Sequence, residues 1–250
     1  MLFRTDLPYL LFDAGGTLVF PDQSFLAQQA QAQGIEVTGE QLFAGHYQLI
    51  YTLDAYVRQH GRFPKVWPRG YARALFELLG IGTPAIDVIA HAAEARHRQK
   101  NLWTFTFSWV DATLSQLAAQ GYRMSVISNS DGRAAEILHD LDLAQYFEHV
   151  FDSAVLGVEK PHPAIFEVTL RELSLQPANA LYIGDVFYID VWSANQVGLG
   201  GVHLDPLGLY ADWPGVHLTD VRQLPAWLTQ YHAAPTTFDL LPTRDLPLVI

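Results

Sequence analysis

The chain has 250 residues, half of them hydrophobic, with ordinary glycine and proline content; it can bury a sizeable core and is not disordered or fibrous in composition. No apolar run reaches the ~18 residues of a membrane helix, no charged leader with a long apolar stretch stands at Met1–Asp6, and the absence of cysteine excludes disulfides, thiol nucleophiles and thiolate zinc sites. With no signal visible the expected setting is cytoplasmic by default, and a formal net charge of −11 argues against a nucleic-acid or anionic-membrane partner.

Pro8 to Phe12 reads as a short buried strand that ends at Asp13, and Gly15-Gly16 breaks it. From about Gln23 to Gln99 the pattern is helical and alanine-rich, punctuated by Pro64, Pro68 and Pro84, with no convincing strand. Strand and helix then alternate. The pattern predicts a helix from about Trp109 to Ala119, stopped by Gly121, and a strand from Arg123 to Ile127. It continues with a helix from Asp131 to Leu141, a strand from Val150 to Asp152 and a helix from Pro163 to Leu173. Leu181 to Gly184 reads as a strand, Tyr188 to Val197 as a helix and Gly201 to Leu204 as a last strand.

This alternation predicts an α/β fold: a Rossmann-like, doubly wound parallel sheet with an inserted all-helical cap. Residues 1–20 and 108–231 are expected to form the core, 21–107 the cap, and 232–250 a proline-containing tail. The charge is uneven. Residues 21–107 hold eight Lys/Arg against seven Asp/Glu, and the rest of the chain holds seven against nineteen. Between Asp54 and Glu77 lie Arg58, Arg62, Lys65, Arg69 and Arg73 without one acidic residue: either a solvated helical face or a surface that attracts an anion. Trp67 and Trp103 either pack in the core or line an organic ligand.

Ligands of open α/β sheets bind beyond the carboxyl ends of the strands. Asp13, Ser128 and Asp185 all fall just past predicted strands, which argues for one shared site. Alone, Asp13 reads as a turn former or helix cap, Ser128 as part of the capping run before a helix with Asp131 as the cap itself, and Asp190 as an exposed helix residue. As chemistry, a carboxylate can be a covalent nucleophile, and Asp185 with Asp190 offers the hard oxygens that Mg²⁺ prefers. Lys160 is one of only three lysines against twelve arginines, and it stands before Pro161 just ahead of a predicted helix. A compact ammonium there can neutralise charge that develops on a phosphoryl group.

Phe12-Asp13-Ala14-Gly15-Gly16-Thr17-Leu18, Val126-Ile127-Ser128-Asn129, Lys160-Pro161 and Gly184-Asp185 through Asp190 occur in this order. They resemble the four motifs of the haloacid dehalogenase (HAD) superfamily, nearest to a HAD-like hydrolase subgroup in which a second motif-I aspartate is often replaced. The resemblance is strong around Asp13 and from Arg123 to Pro206, and weak through the cap. It implies a Mg²⁺-dependent phosphohydrolase that acts on a small phosphorylated metabolite through an aspartyl-phosphate intermediate. In that reading Asp13 is the nucleophile, Thr17 orients its loop, and Ser128 with the backbone N–H groups of Asn129 and Ser130 holds phosphate. Lys160 neutralises charge, and Asp13, Asp185, Asp190 and the Gly15 carbonyl hold the metal. Monomer and homodimer both remain open.

One residue departs from the family pattern. Gly15 stands where most family phosphatases carry the aspartate that protonates the leaving oxygen and later activates water. His46, His60, Tyr47, Tyr56 and Asp22 are candidate substitutes. Two other readings follow from the same motifs: a phosphate- and metal-binding protein of weak or no turnover, and a 2-haloacid dehalogenase, which the Asp13-Ala14-Gly15-Gly16-Thr17 run approaches. The paired acidic fourth motif favours magnesium and phosphate over carbon–halogen chemistry.

Overall fold

Tyr9–Phe12 is buried along its whole length, which suits a strand flanked on both sides and covered on both faces. The computed structural model describes residues 7–61 and 70–233. Among these, the chain divides into two compact units: residues 7–19 with 106–233, and residues 20–61 with 70–105. The readings at Arg62, Pro64, Lys65, Trp67, Pro68 and Arg69, and most of the expected tail, lie outside the described residues.

The first unit is a six-stranded parallel sheet wrapped by helices, a Rossmann-like fold. Its strands are β1 (Tyr9–Phe12), β4 (Met124–Ser128), β5 (Val150–Asp152), β6 (Ala180–Gly184), β7 (Gly200–Leu204) and β8 (Val216–Leu218). Their spatial order is β5-β4-β1-β6-β7-β8. The chain runs outward from β1 on one side, then returns to fill the other. That reversal makes β1 the switch point, where such sheets open a crevice.

Helices α5 (Ser108–Ala119), α6 (Ala134–Asp140), α7 (Ser153–Leu156), α8 (Pro163–Glu172), α9 (Ser193–Gln196) and α10 (Leu224–Ala233) connect or flank these strands. On one face, Leu11, Ile127 and Tyr182 of the sheet pack with Phe166 and Leu170 of α8 and Ala194 of α9. Three sequence expectations are corrected here. The sheet does not end at Leu204, because Val216–Leu218 pairs beside it as β8. The expected helix from Tyr188 to Val197 is a π-helical segment, Phe187–Trp192, that runs into the short α9. Asp131 does not cap α6; it pairs with Arg133, and Asp152 accepts the Ala134 N–H instead.

The second unit holds α1 (Gln23–Gln31), α2 (Gly39–His60), α3 (Tyr71–Leu78) and α4 (Thr83–Lys100). Its core is Leu26, Leu42, Leu75, Phe76, Ile86 and Ile89, contributed by all four helices. Thr38 and Gln41 form a reciprocal capping box at the start of α2. A short antiparallel ribbon, β2 (Phe20–Pro21) with β3 (Trp103–Phe105), joins the two ends of the unit. The sequence reading did not place this ribbon, since two and three residues are too few to show a period. Arg73, on the cationic stretch, pairs with Asp87 and Glu77, so its charge is matched from outside the stretch. Trp103 packs at 4.8 Å from the Tyr71 ring.

Candidate active site

The register of the three central strands assembles the site. Phe12 pairs with Val126 on one side and Ile183 on the other, so Asp13, Ser128 and Asp185 emerge together at the carboxyl ends of β1, β4 and β6. The Asp13 N–H still donates to Ile183 O, at 2.8 Å, which holds the carboxylate at the strand mouth. Beyond it the chain curls back on itself. Leu18 and Val19 both donate to Ala14 O at 2.9 Å, and Gly16 N donates to Val19 O at 2.8 Å. Gly16 has φ +77°, a conformation that glycine adopts without steric cost. Within residues 9–21 only Gly15 is not buried, so the position of the family's second aspartate is the one opening in this loop.

Lys160 reaches this loop from far along the chain, through a cis Lys160–Pro161 peptide. The residue is 3 % exposed, and its ammonium donates to Asp13 Oδ1 at 2.5 Å, Asp190 Oδ1 at 2.7 Å and the Tyr182 hydroxyl at 2.8 Å. All three ammonium protons are therefore engaged. Asp190 Oδ2 accepts the Val186 N–H at 3.0 Å, and Thr17 Oγ1 donates to Asp185 Oδ1 at 3.5 Å.

The electrostatics are those of a crowded buried anion site. Burial pushes the Asp13 carboxyl up to about 8; Lys160 opposes the shift, and Asp190 and Asp185 add to it. Asp185 is also held well above the usual carboxylate range, by burial and then by Asp190. Desolvation alone pulls the Lys160 ammonium down, but Asp13 and Asp190 outweigh it, and its net direction is up.

Asp13, Asp185 and Asp190 bring carboxylate oxygens within 4.8 Å of one another, all buried. Three carboxylates against one ammonium leave a surplus of negative charge when ionised. A buried surplus on hard oxygen donors fits a divalent cation such as Mg²⁺.

Ser128 closes β4, buried, with Asp152 of β5 in register beside it. The loop after it departs from the sequence reading at Ser130. The Ser130 N–H donates to Ser153 Oγ at 3.0 Å, so it is engaged within the protein rather than offered to a phosphate. The Asn129 side chain grips the Lys160 backbone on both sides: Nδ2 donates to Lys160 O and Oδ1 accepts from Lys160 N, each at 2.8 Å. Asn129 thus fixes Lys160 through its amide.

Four further residues support the site without having been singled out for that role in the sequence. Asp152 accepts N–H bonds from Gly132, Ala134 and Ala154 at 3.0–3.1 Å, which shapes the loop after Ser128. His203 Nε2 lies 2.9 Å from Asp185 O, and since a carbonyl only accepts, that nitrogen carries the proton. Burial drives the His203 imidazole down to about 3, with His217 adding to the shift. Gly184 gives Asp190 its space: a Cβ there would lie 2.5 Å from Asp190 Cγ. The last is Tyr182, the third acceptor of Lys160. Asp152, His203 and Tyr182 are strand residues whose partners lie on other elements, so local pattern does not mark them. For Gly184, its place just before Asp185 was the available signal.

The candidate substitutes for the missing acid all lie in the helical unit. Asp22 caps α1 through Phe25 N and pairs with Arg96 at 2.5 Å. His46 is buried with Nδ1 3.1 Å from the Tyr71 hydroxyl, and burial lowers its pKa to about 4. Tyr47 packs against His46 and Phe43, and His60 lies over Tyr56.

This geometry, carboxylates at the mouths of β1 and β6 tied to one buried lysine, defines a hydrolase of the HAD type. The family model for haloacid dehalogenase-like hydrolases matches residues 8–198, and the chain belongs to that family. It is 28% identical over 238 residues to haloacid dehalogenase-like hydrolase domain-containing protein 3 of Danio rerio, covering 90% of this chain and 98% of that one. It is 29% identical over 199 residues to glyceraldehyde 3-phosphate phosphatase of Methanopyrus kandleri, covering 78% of this chain and 82% of that one. The HAD hydrolase YfnB of Bacillus subtilis, solved bound to magnesium, shares the fold with a TM-score of 0.58 at 17% identity, over 89% of this chain and 99% of that one. Among the described residues, no helix is long and apolar enough to cross a membrane.

Proposed function

We propose that this HAD-like hydrolase is a Mg²⁺-dependent phosphatase of small phosphorylated metabolites, working through an aspartyl phosphate. The observation that carries the reading is the Lys160 ammonium held between Asp13 and Asp190, beside Asp185, at the carboxyl ends of β1 and β6. A phosphatase relative of similar length supports the same chemistry.

In this reading an Asp13 carboxylate oxygen attacks phosphorus and the bond to the leaving oxygen breaks. Water then cleaves the aspartyl phosphate, releasing phosphate and restoring Asp13. Ser128 binds a phosphoryl oxygen, and Lys160 balances the negative charge shared by Asp13 and the phosphoryl group. Asp13, Asp185, Asp190 and the Gly15 carbonyl would hold Mg²⁺. When bound, the ion supplies positive charge against the carboxylates and the phosphoryl oxygens.

Gly15 shapes the expected selectivity. A positioned general acid contributes about 10²–10⁴-fold, and Gly15 offers only backbone at that place. Aryl and acyl phosphates, whose leaving groups depart without strong protonation, are therefore the better substrates, and alkyl phosphates the poorer. The same glycine favours a second reading, a phosphate- and metal-binding protein of very slow turnover.

The test compares an aryl and an alkyl phosphate, with Mg²⁺ and with EDTA, beside Asp13→Asn. Metal-dependent turnover that favours the aryl ester and disappears in the variant is the expected result. Equal rates on both esters would show that another residue delivers the proton. No turnover on any phosphate of a broad panel would favour the slow binding protein, and halide release from a 2-haloacid would replace both readings.

A further inference from the structure

Tyr182 sits in the middle of β6, fully buried, with its ring edge-on to Phe166 of α8 at 5.1 Å between centroids. Its hydroxyl lies 2.8 Å from Lys160 Nζ, 3.0 Å from Ile127 O and 3.4 Å from Asp190 Oδ1. An ammonium only donates, so towards Lys160 the tyrosine oxygen must accept. Its single proton then has two acceptors in reach. Ile127 O is the nearer, and Asp190 Oδ1 already accepts from Lys160 at 2.7 Å. The direction of every bond follows: Lys160 donates to Tyr182, and Tyr182 donates to the backbone of β4.

This chain fixes the ammonium to the sheet itself. Asn129 grips the Lys160 backbone amide and carbonyl, and Tyr182 holds the far end of a side chain with four rotatable carbons. The two carboxylate partners of Nζ are the groups whose charge changes when phosphate or metal arrives. Tyr182 is the partner that stays constant.

We propose that Tyr182 is a positioning residue that holds the Lys160 ammonium at the height of the Asp13 carboxylate through a bond anchored on Ile127 O. It touches no reacting atom and acts only through Lys160. The inference rests on the phosphatase reading for its catalytic consequence, and on hydrogen bonding alone for the clamp.

The chain has three lysines, so ¹⁵N spectra of the lysine ammonium groups are simple to assign. The intact protein is expected to show one exchange-protected ammonium signal, which Lys160→Met removes. In Tyr182→Phe, which keeps the ring against Phe166, that signal is expected to exchange about tenfold faster. Turnover of p-nitrophenyl phosphate with Mg²⁺ should fall about tenfold in kcat, with KM within about twofold, the scale of one hydrogen bond to a charged group. Phe166→Leu disturbs the same packing without touching the hydroxyl, and is expected to leave kcat and ammonium protection within about twofold.

Unchanged protection in Tyr182→Phe overturns the clamp. So does an equal loss in Phe166→Leu, which would assign the effect to packing. Faster exchange with unchanged kcat overturns the catalytic consequence. Absence of wild-type turnover on phosphate esters would instead fail the phosphatase reading, and the ammonium signal would still decide the clamp.

Discussion

In the sheet unit Asp13, Asp185 and Asp190 are buried as three carboxyl groups with the Lys160 ammonium; in the helical unit His46 is buried as a neutral ring against the Tyr71 hydroxyl. The first arrangement is costly by itself. Removing a partner from a buried ion pair typically costs about 3–5 kcal/mol, because the remaining charge stays in the interior. The surplus of carboxylates fits a bound cation better than a device for stability. The second arrangement excludes charge: burial holds His46 well below its usual pKa, so it contributes shape and one hydrogen bond. Buried polarity thus has different meanings at these two places: a surplus of carboxyl groups at one, a single neutral ring at the other.

The comparison breaks most visibly at Gly184. An alanine methyl there would meet Asp190 Cγ at 2.5 Å and Cβ at 2.6 Å, contacts that a short side chain cannot evade. Gly184→Ala is expected to lower phosphatase turnover by about 10²-fold, the scale of misplacing a catalytic group by about 1 Å. Chemical unfolding should register only about 1–3 kcal/mol from overpacking. Wild-type turnover in this variant would mean that Asp190 is not held where the site needs it.

A smaller effect sharpens the other half of the contrast. His46 titrates near 4 folded and about 6.5 unfolded, so the unfolded chain binds the extra proton between these values. Stability from this group is complete above about pH 6.5 and is lost as pH falls, by about 2 kcal/mol at pH 5. His46→Gln is expected to remove that part of the acid dependence, read as the difference in urea-unfolding free energy between pH 7 and pH 5. An identical pH dependence in both proteins would show that His46 takes up its proton inside the fold.

The smallest expected effect concerns the capping box of α2, where Thr38 Oγ1 accepts from Gln41 N at 3.2 Å and Gln41 Oε1 accepts from Thr38 N at 2.9 Å. Thr38→Ala should cost about 1 kcal/mol and leave aryl-phosphate turnover unchanged. A loss of turnover as large as that from Gly184→Ala would remove the contrast between the two units.

Much of the candidate site was legible because Asp13, Ser128 and Asp185 each follow an apolar run. Parallel strands covered on both faces read as continuous hydrophobic segments, and their carboxyl ends are where ligands gather. That placed Asp13, Ser128 and Asp185, and the scarcity of lysine marked Lys160. Ser130 was misread for a physical reason: a backbone N–H does not reveal in sequence whether it faces a ligand or a neighbouring loop. Here Ser153 takes it. Strand β8, Val216-His217-Leu218, was not read from the sequence.

By itself, then, the sequence determined the order of five of the six sheet strands and the residues that stand at the mouths of β1, β4 and β6, since both depend on local hydrophobic pattern and on glycine breaks. Only the tertiary structure decided which groups meet across the sheet. Lys160 reaches Asp13 across 147 positions, Tyr182 reaches Ile127 across 55, and His203 turns its ring to the Asp185 carbonyl from the next strand. Hydrogen bonds of that kind are set by register between strands, and no local run of residues encodes a register.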